Sequence, residues 1–394
     1  MIGKKEADIL KHSSQHYKQR LKEAKRKAQL KNEALQKLRN RNMPKMGKMD
    51  TVRKKKLRNS GLIAAGMLLV ILLIPTLVVV PFSIGDASVG NLEAGLKKQP
   101  KQAAKSEVKE PESAFSVAVM RTASEQVENV PLETYVTRVV ASEMPADFEL
   151  EALKAQSLAA RTFIVNHMLS NGNKTGAQVT DTVQHQVYKN DTELRKVWGS
   201  EYDSKMKKLK KAVASTSGQI LTYQKEPITP SFFSTSNGYT ENSEDYWGQK
   251  LPYLRSVKSP WDQKSPKFQD QQVFTRTQVG NALGIDLSGG TAAAFEVTRT
   301  ESGRVAEVKL GNNKFSGKKI RELLGLPSSD FKIEQKSDHF IFKTKGYGHG
   351  VGMSQYGANG MAKEGKDYKQ IVKHYYQGVE IRPVEEAATK LVSR

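Results

Sequence analysis

Hydrophobic and polar positions divide the 394-residue chain into stretches of different period. Residues 1–45 are polar, and Tyr17, Leu21, Ala24, Ala28, Leu35 and Leu38 recur at a 4-3 spacing. That predicts a helix with a weak coiled-coil-like seam, interrupted by Lys31. From Gly61 to Phe82 the chain is apolar and uncharged. At ~1.5 Å rise per residue, this run spans a hydrocarbon core of roughly 30 Å and predicts a transmembrane helix. Residues 83–112 are polar, with mixed charge and prolines, and read as a tether.

Beyond Ser113 strand and helix periods follow one another. Phe115–Met120 alternates like a strand. Leu132, Tyr135, Val136, Val139 and Val140 form the stripe of a helix that starts near Pro131 and ends before Pro145. Leu150–Leu169 predicts a long alanine-lined helix, and Glu193–Ala214 a second, lysine-rich one. Strands are expected at Gln219–Tyr223 and Ser231–Ser236, then a turn at 237–240. Residues 265–335 read as an insert or subdomain, with helices at Gln278–Leu283 and Lys318–Leu324 and a hairpin across Ala294–Leu310. Phe340–Lys345 is a strand, and Lys366–Tyr376 a helix closed by Gly378. With no regular βαβ alternation, the fold class is α+β, in one outer domain over 113–382 and a short tail, 383–394.

Charge sharpens the N-terminal picture. The net charge is +22, and residues 1–60 hold 20 lysines and arginines against five acids, or +15. A basic segment abutting an apolar run is a topology determinant, which puts residues 1–60 in the cytoplasm and the outer domain outside. The competing reading, a nucleic-acid arm, predicts steeply salt-dependent DNA binding by residues 1–60 alone. The chain has no cysteine, so disulfides and thiolate metal sites are excluded.

Two features carry candidate chemistry. In Gly346-Tyr-Gly-His-Gly-Val-Gly352, glycines alternate with larger residues. An extended chain would carry Tyr347, His349 and Val351 on one face and nothing on the other. That predicts a bare floor for something flat; a tight glycine turn is the plainer alternative. Glu143 sits at a helix C-terminus, where the dipole raises its pKa, beside Met144, Pro145 and Phe148. A carboxyl kept protonated suits general-acid chemistry; an exposed surface glutamate is the competing reading. No G-x-G-x-x-G, P-loop, H-E-x-x-H or G-x-S-x-G pattern is present, and the histidines lack ligand-like spacing, so no metal or cofactor is proposed. A single acid, an amide-bearing helix, a Ser/Thr/Asn loop and aromatics suit a polar, uncharged polymer such as a glycan. Glycosidases of the usual kind need two carboxylates; one suffices when a substrate hydroxyl replaces water.

Four blocks taken together resemble the stage II sporulation protein D family. They are Ala141-Ser-Glu-Met-Pro145 with Glu151–Arg161; Gln186-Val-Tyr188; Ser234–Thr240 with Tyr246-Trp-Gly248; and Gly346–Ala362 with His374-Tyr-Tyr376. The resemblance covers about residues 113–382 and implies helices packed with antiparallel hairpins around an elongated glycan cleft. It implies a membrane-anchored lytic transglycosylase acting on peptide-stripped peptidoglycan during forespore engulfment, in the intermembrane space of the sporangium. A partner amidase and a membrane scaffold protein are the implied partners, and no nucleic acid. The family's catalytic glutamate maps onto Glu143. Lys154, Gln156, Arg161, Gln186, Tyr188, Ser234, Ser236, Asn237, His349, Gln355 and Tyr356 would line the cleft. Gln184-His185 replaces a Cys/His zinc cluster found in some relatives, and Ser236-Asn237-Gly238 replaces a Ser-Gly-Gly loop. The rival from another class is a non-catalytic wall-binding module that enhances an amidase.

Overall fold

A computed structural model describes residues 115–171, 178–287 and 294–387. All belong to the second of two compact units, Gln102–Arg394. The helix expected at 1–45, the apolar run 61–82 and the linker 83–112 lie outside the described residues. Among the described residues, no helix is long and apolar enough to cross a membrane.

The described chain is mixed α+β. It opens with the hairpin β1 (Ser116–Arg121) and β2 (Gln126–Pro131). The helices α1 (Leu132–Glu143) and α2 (Leu150–Asn171) follow, and then β3 (Val179–Thr180), which lies parallel to β1. Next come α3 (Asp191–Trp198), α4 (Tyr202–Ala214), β4 (Gln219–Tyr223), β5 (Glu226–Pro227), β6 (Phe232–Phe233) and α5 (Ser243–Trp247). After β7 (Gln269–Thr275) and α6 (Arg276–Leu283) the chain runs through β8 (Phe295–Arg299), β9 (Val305–Leu310), β10 (Asn313–Ser316) and α7 (Gly317–Leu324). Strands β11 (Phe331–Gln335) and β12 (His339–Lys345) follow, then β13 (Met353–Ser354), α8 (Gln355–Lys363), α9 (Tyr368–Tyr375) and β14 (Glu380–Pro383).

Helix α2 is the axis of the first core. Its Ala152, Leu153, Ala155, Leu158, Ala159, Ala160 and Ile164 are fully buried. It is apolar on more than one face, as a helix surrounded by protein must be. Alanine lets α1, α4, α8, α9 and β4 approach it. Strand β4 lies between β14 and β5 in a three-stranded sheet on this core.

A second core is separate. Val279, Val305, Val308, Ile320, Phe331, Phe340 and Phe342 bury one another between the sheets β11-β12-β7 and β10-β9-β8 and the helices α6 and α7. This lobe extends through Lys345, because β12 pairs with both β7 and β11.

Three local expectations change. The helix expected across Glu193–Ala214 breaks at Gly199, whose φ of 54° lies outside the helical region, and restarts at α4. The strand expected across Ser231–Ser236 shrinks to β6, paired in parallel with β13. The four glycines at 346, 348, 350 and 352 are not extended: their φ values are 83°, 114°, 92° and 80°. A Cβ at Gly346 would lie 2.8 Å from the Thr235 carbonyl oxygen, and one at Gly348 2.8 Å from Phe233 Cβ. At Gly350 it would collide with Arg304, and at Gly352 with the Ser231 carbonyl. The bare side of this stretch is therefore covered by the protein's own 231–235 segment and by Arg304, not left open as a floor for substrate.

Candidate functional site

Helix α1 ends at Glu143 because Met144, preceding Pro145, is extended (φ −126°, ψ 139°). The helix end points Glu143 into a cleft of about 530 Å³. Its Oε1 accepts a hydrogen bond from the Val187 N–H at 2.8 Å. Burial raises the pKa of this carboxyl, against the opposing pull of the Val187 N–H and Lys189. Desolvation, more than the helix-end position, sets the direction.

Gln355 secures the same helix end from the opposite side. Ser354 caps α8 by accepting from the Gly357 N–H. From the first turn, Gln355 Nε2 donates to the Glu143 carbonyl at 3.1 Å, satisfying an acceptor left open by the helix terminus. It also approaches Gln156 Oε1 at 3.5 Å, so Gln156 lies behind the cleft wall, fully buried on α2. Gln186 accepts from the Tyr135 hydroxyl at 3.1 Å. The Tyr356 ring packs edge-on against Phe148, and its N–H donates to the Ser234 carbonyl at 3.0 Å.

His349 faces the cleft inside a cage of Phe233, Tyr246 and Trp247, each with its ring centre 5.6–5.7 Å away. Its Nδ1 accepts from the Val351 N–H at 3.1 Å, which leaves the proton on Nε2, 3.4 Å from Ser231 Oγ. Burial first, then the Arg321 charge, lower its pKa to about 4, so the imidazole is neutral at neutral pH.

Glu143, Gln186, Ser234, His349, Gln355 and Tyr356 therefore share one cleft. Five other candidates have partners elsewhere. Lys154 pairs with Glu151 at 2.6 Å. Arg161, fully buried, forms a forked ion pair with Glu133 at 2.6–3.2 Å and also bonds the Gln219 carbonyl. The Tyr188 hydroxyl meets Arg138 and Glu128 at 2.7 and 2.9 Å. Ser236 Oγ donates to buried Asp262 at 2.7 Å, and Asn237 Nδ2 donates to the Ser302 carbonyl and to Asp330, each at 2.9 Å. These five hold the frame and do not line the cleft.

Sequence reasoning did not single out Phe163, His185, Lys267 or Arg321 for the lining. No local pattern marks them, because separate elements carry them there. Asp262 was also missed. It accepts from Ser236, Ser259 and Ser354, tying the loop before α5 to the cap of α8. Among the described residues, no cluster of histidines and acids gathers to hold a metal.

Comparison with known proteins adds context to this geometry. A family model described as "Stage II sporulation protein" matches residues 120–223. The chain is 49% identical over 330 residues to Stage II sporulation protein D of Bacillus subtilis (strain 168), covering 82% of this chain and 96% of that one. It is 48% identical to Stage II sporulation protein D of Bacillus amyloliquefaciens over 84% of this chain and 97% of that one. A more distant similarity, 28% over 298 residues, joins 61% of the chain to 39% of a Bacillus subtilis protein named "Amidase enhancer".

Proposed function

The chain belongs to the stage II sporulation protein D family and has a role in sporulation; from that premise we propose that it is a lytic transglycosylase of peptidoglycan with Glu143 as its acid and base. The observation that carries this reading is Glu143 itself. It is the only carboxyl side chain lining the cleft among the described residues, its pKa is raised by burial, and a backbone N–H holds it in place. A second carboxylate, needed to activate water or attack the sugar, has no candidate in that lining. A hydroxyl of the substrate can serve as the nucleophile instead.

In the proposed reaction Glu143 gives its proton to the oxygen bridging N-acetylmuramic acid and N-acetylglucosamine. The muramic C1–O bond breaks, and the electron pair leaves with that oxygen. The Glu143 carboxylate then takes the proton of the muramic 6-hydroxyl as O6 bonds to C1. The product carries a 1,6-anhydro ring, no water is consumed, and Glu143 ends protonated. Gln186, Ser234, Gln355, Tyr356 and neutral His349 orient the sugars. In the same proposal residues 61–82 anchor the chain in the cell membrane, with residues 1–60 cytoplasmic. The outer domain works between the sporangial membranes during forespore engulfment, with an amidase and a membrane scaffold protein as partners.

The similarity to a protein named "Amidase enhancer" favours a second reading, a wall-binding module without catalysis. Incubating the purified full-length chain with peptide-free glycan strands separates the two. The enzyme reading expects 1,6-anhydro ends by mass spectrometry from wild type and none from Glu143→Gln. Glycan binding by wild type without such ends would leave the binding module standing instead.

A further inference from the structure

Two cations in the cleft wall are not neutralised. Arg121, Arg138, Arg161, Arg255 and Arg299 each pair with a carboxylate. Arg321 and Lys267, both lining the cleft, have no ion-pair partner among the described residues. Arg321 is nevertheless held in place. Its Nε donates to the Pro327 carbonyl at 3.2 Å and its Nη1 to the Tyr246 hydroxyl at 3.2 Å. Both partners are uncharged, so the guanidinium is aimed without being cancelled. Lys267 is exposed, with its ammonium 4.9 Å from the centre of the Tyr347 ring, another part of the lining. The charge of Arg321 reaches into the site, where it helps hold His349 neutral.

A planar guanidinium fixed by neutral partners, with an ammonium in the same wall, is suited to an oxyanion on the ligand. Glu143 does not supply that anion: its Oε1 accepts from the Val187 N–H, and it forms no ion pair with either cation among the described residues. Resting on the glycan reading above, we propose that Arg321 and Lys267 form a specificity site for a free carboxylate carried by a sugar ring, the 3-O-lactyl group of muramic acid. When a peptide is attached, that carboxyl is an amide and carries no charge. The pair thus reads the removal of the peptide on the strand itself.

The test measures binding by full-length Glu143→Gln chain, which holds glycan without turning it over. Two probes from one preparation are compared: peptide-free oligomers with free lactyl carboxylates, and the same oligomers with those groups converted to neutral methylamides. The charged form should bind tighter by about tenfold or more, as expected for charge-assisted hydrogen bonds. Arg321→Met and, separately, Lys267→Met should shrink that preference while leaving the affinity for the neutral form unchanged. Lys267 is exposed, so its substitution leaves the fold intact even if Arg321→Met disturbs the lobe. Equal binding of the two probes, or equal weakening of both by Lys267→Met, overturns the site and leaves the transglycosylase reading standing. Failure to bind either probe overturns the glycan reading and this site with it.

Discussion

At the scale of single residues, the side chains of the cleft are set by desolvation. The folded pKa of Glu143 lies above its ordinary value of 4.5, so the folded state holds the proton more tightly than the unfolded chain does. Stability linked to this group is fully present below 4.5 and is lost as pH rises through the folded value. Glu143→Gln removes that loss. The variant is expected to melt at or above the wild-type temperature at pH 7, with a gap that widens from pH 4.5 upward, in calorimetric scans across pH. On the lytic reading proposed above, turnover of glycan strands should nevertheless fall by roughly 100-fold to 10,000-fold in this variant. If Glu143→Gln instead melts lower at every pH, the carboxyl is not strained by burial. His349 shifts the opposite way. With a folded pKa of about 4 against 6.5 for a free imidazole, its contribution is present above 6.5 and lost as pH falls toward 4. Nitrogen-detected NMR should show a neutral ring, protonated on Nε2, throughout that range; a titration midpoint near 6.5 would contradict the caged geometry. Glu143 was legible in the chain because a helix ending ahead of Pro145 can be read locally. The burial that raises its pKa was not, since the other residues of the cleft it lines come from distant positions, among them 163, 185–186, 230–234, 347–349 and 355–356.

At the scale of elements, two sequence features had two physical solutions each. A charged residue among alanines suits either a ligand site or a buried ion pair. Arg161 takes the second, and its partner Glu133 lies 28 positions away on another helix, outside any local pattern. Breaking this fully buried pair with Arg161→Met is expected to cost about 3–5 kcal/mol in urea unfolding. Activity per folded molecule should stay unchanged; selective loss of activity at full stability would return Arg161 to the site. The alternating glycines were legible as a place of close approach, but not as to what approaches. Extended backbone would have left one face open, whereas positive φ turns every one of them against the chain itself. Gly352→Ala, with φ 80° and the Ser231 carbonyl in the way, should destabilise by about 3 kcal/mol or more. Gly284→Ala has a left-handed φ of 71° and nothing within 4 Å, and should cost only about 1 kcal/mol. Equal effects in parallel denaturation curves would mean that the contacts of 346–352 contribute nothing beyond backbone conformation.

At the scale of the whole molecule, the cleft joins two cores. Glu143 and Gln186 come with the first, and Arg321 with the second. Between the cores Asn237 bonds Ser302 and Asp330, while Glu241 accepts from Thr300 and Ser302. Asn237→Ala should weaken glycan binding before it lowers global stability by more than about 1–2 kcal/mol, read by titration and melting side by side. The second core is spliced between β6 and β13, so segments 120 positions apart, Ser234 and Ser354, end up bonded. That has a consequence in time. A chain that emerges N-terminus first exposes Glu143 early, yet Tyr347, His349, Gln355 and Tyr356, which complete the cleft lining, arrive only after the second core has been made. The acid exists long before the blade does. A chain ending at Lys345 should fold its helices in part and, on the lytic reading proposed above, leave glycan strands uncut, so that no cutting could begin before the whole outer domain had been made.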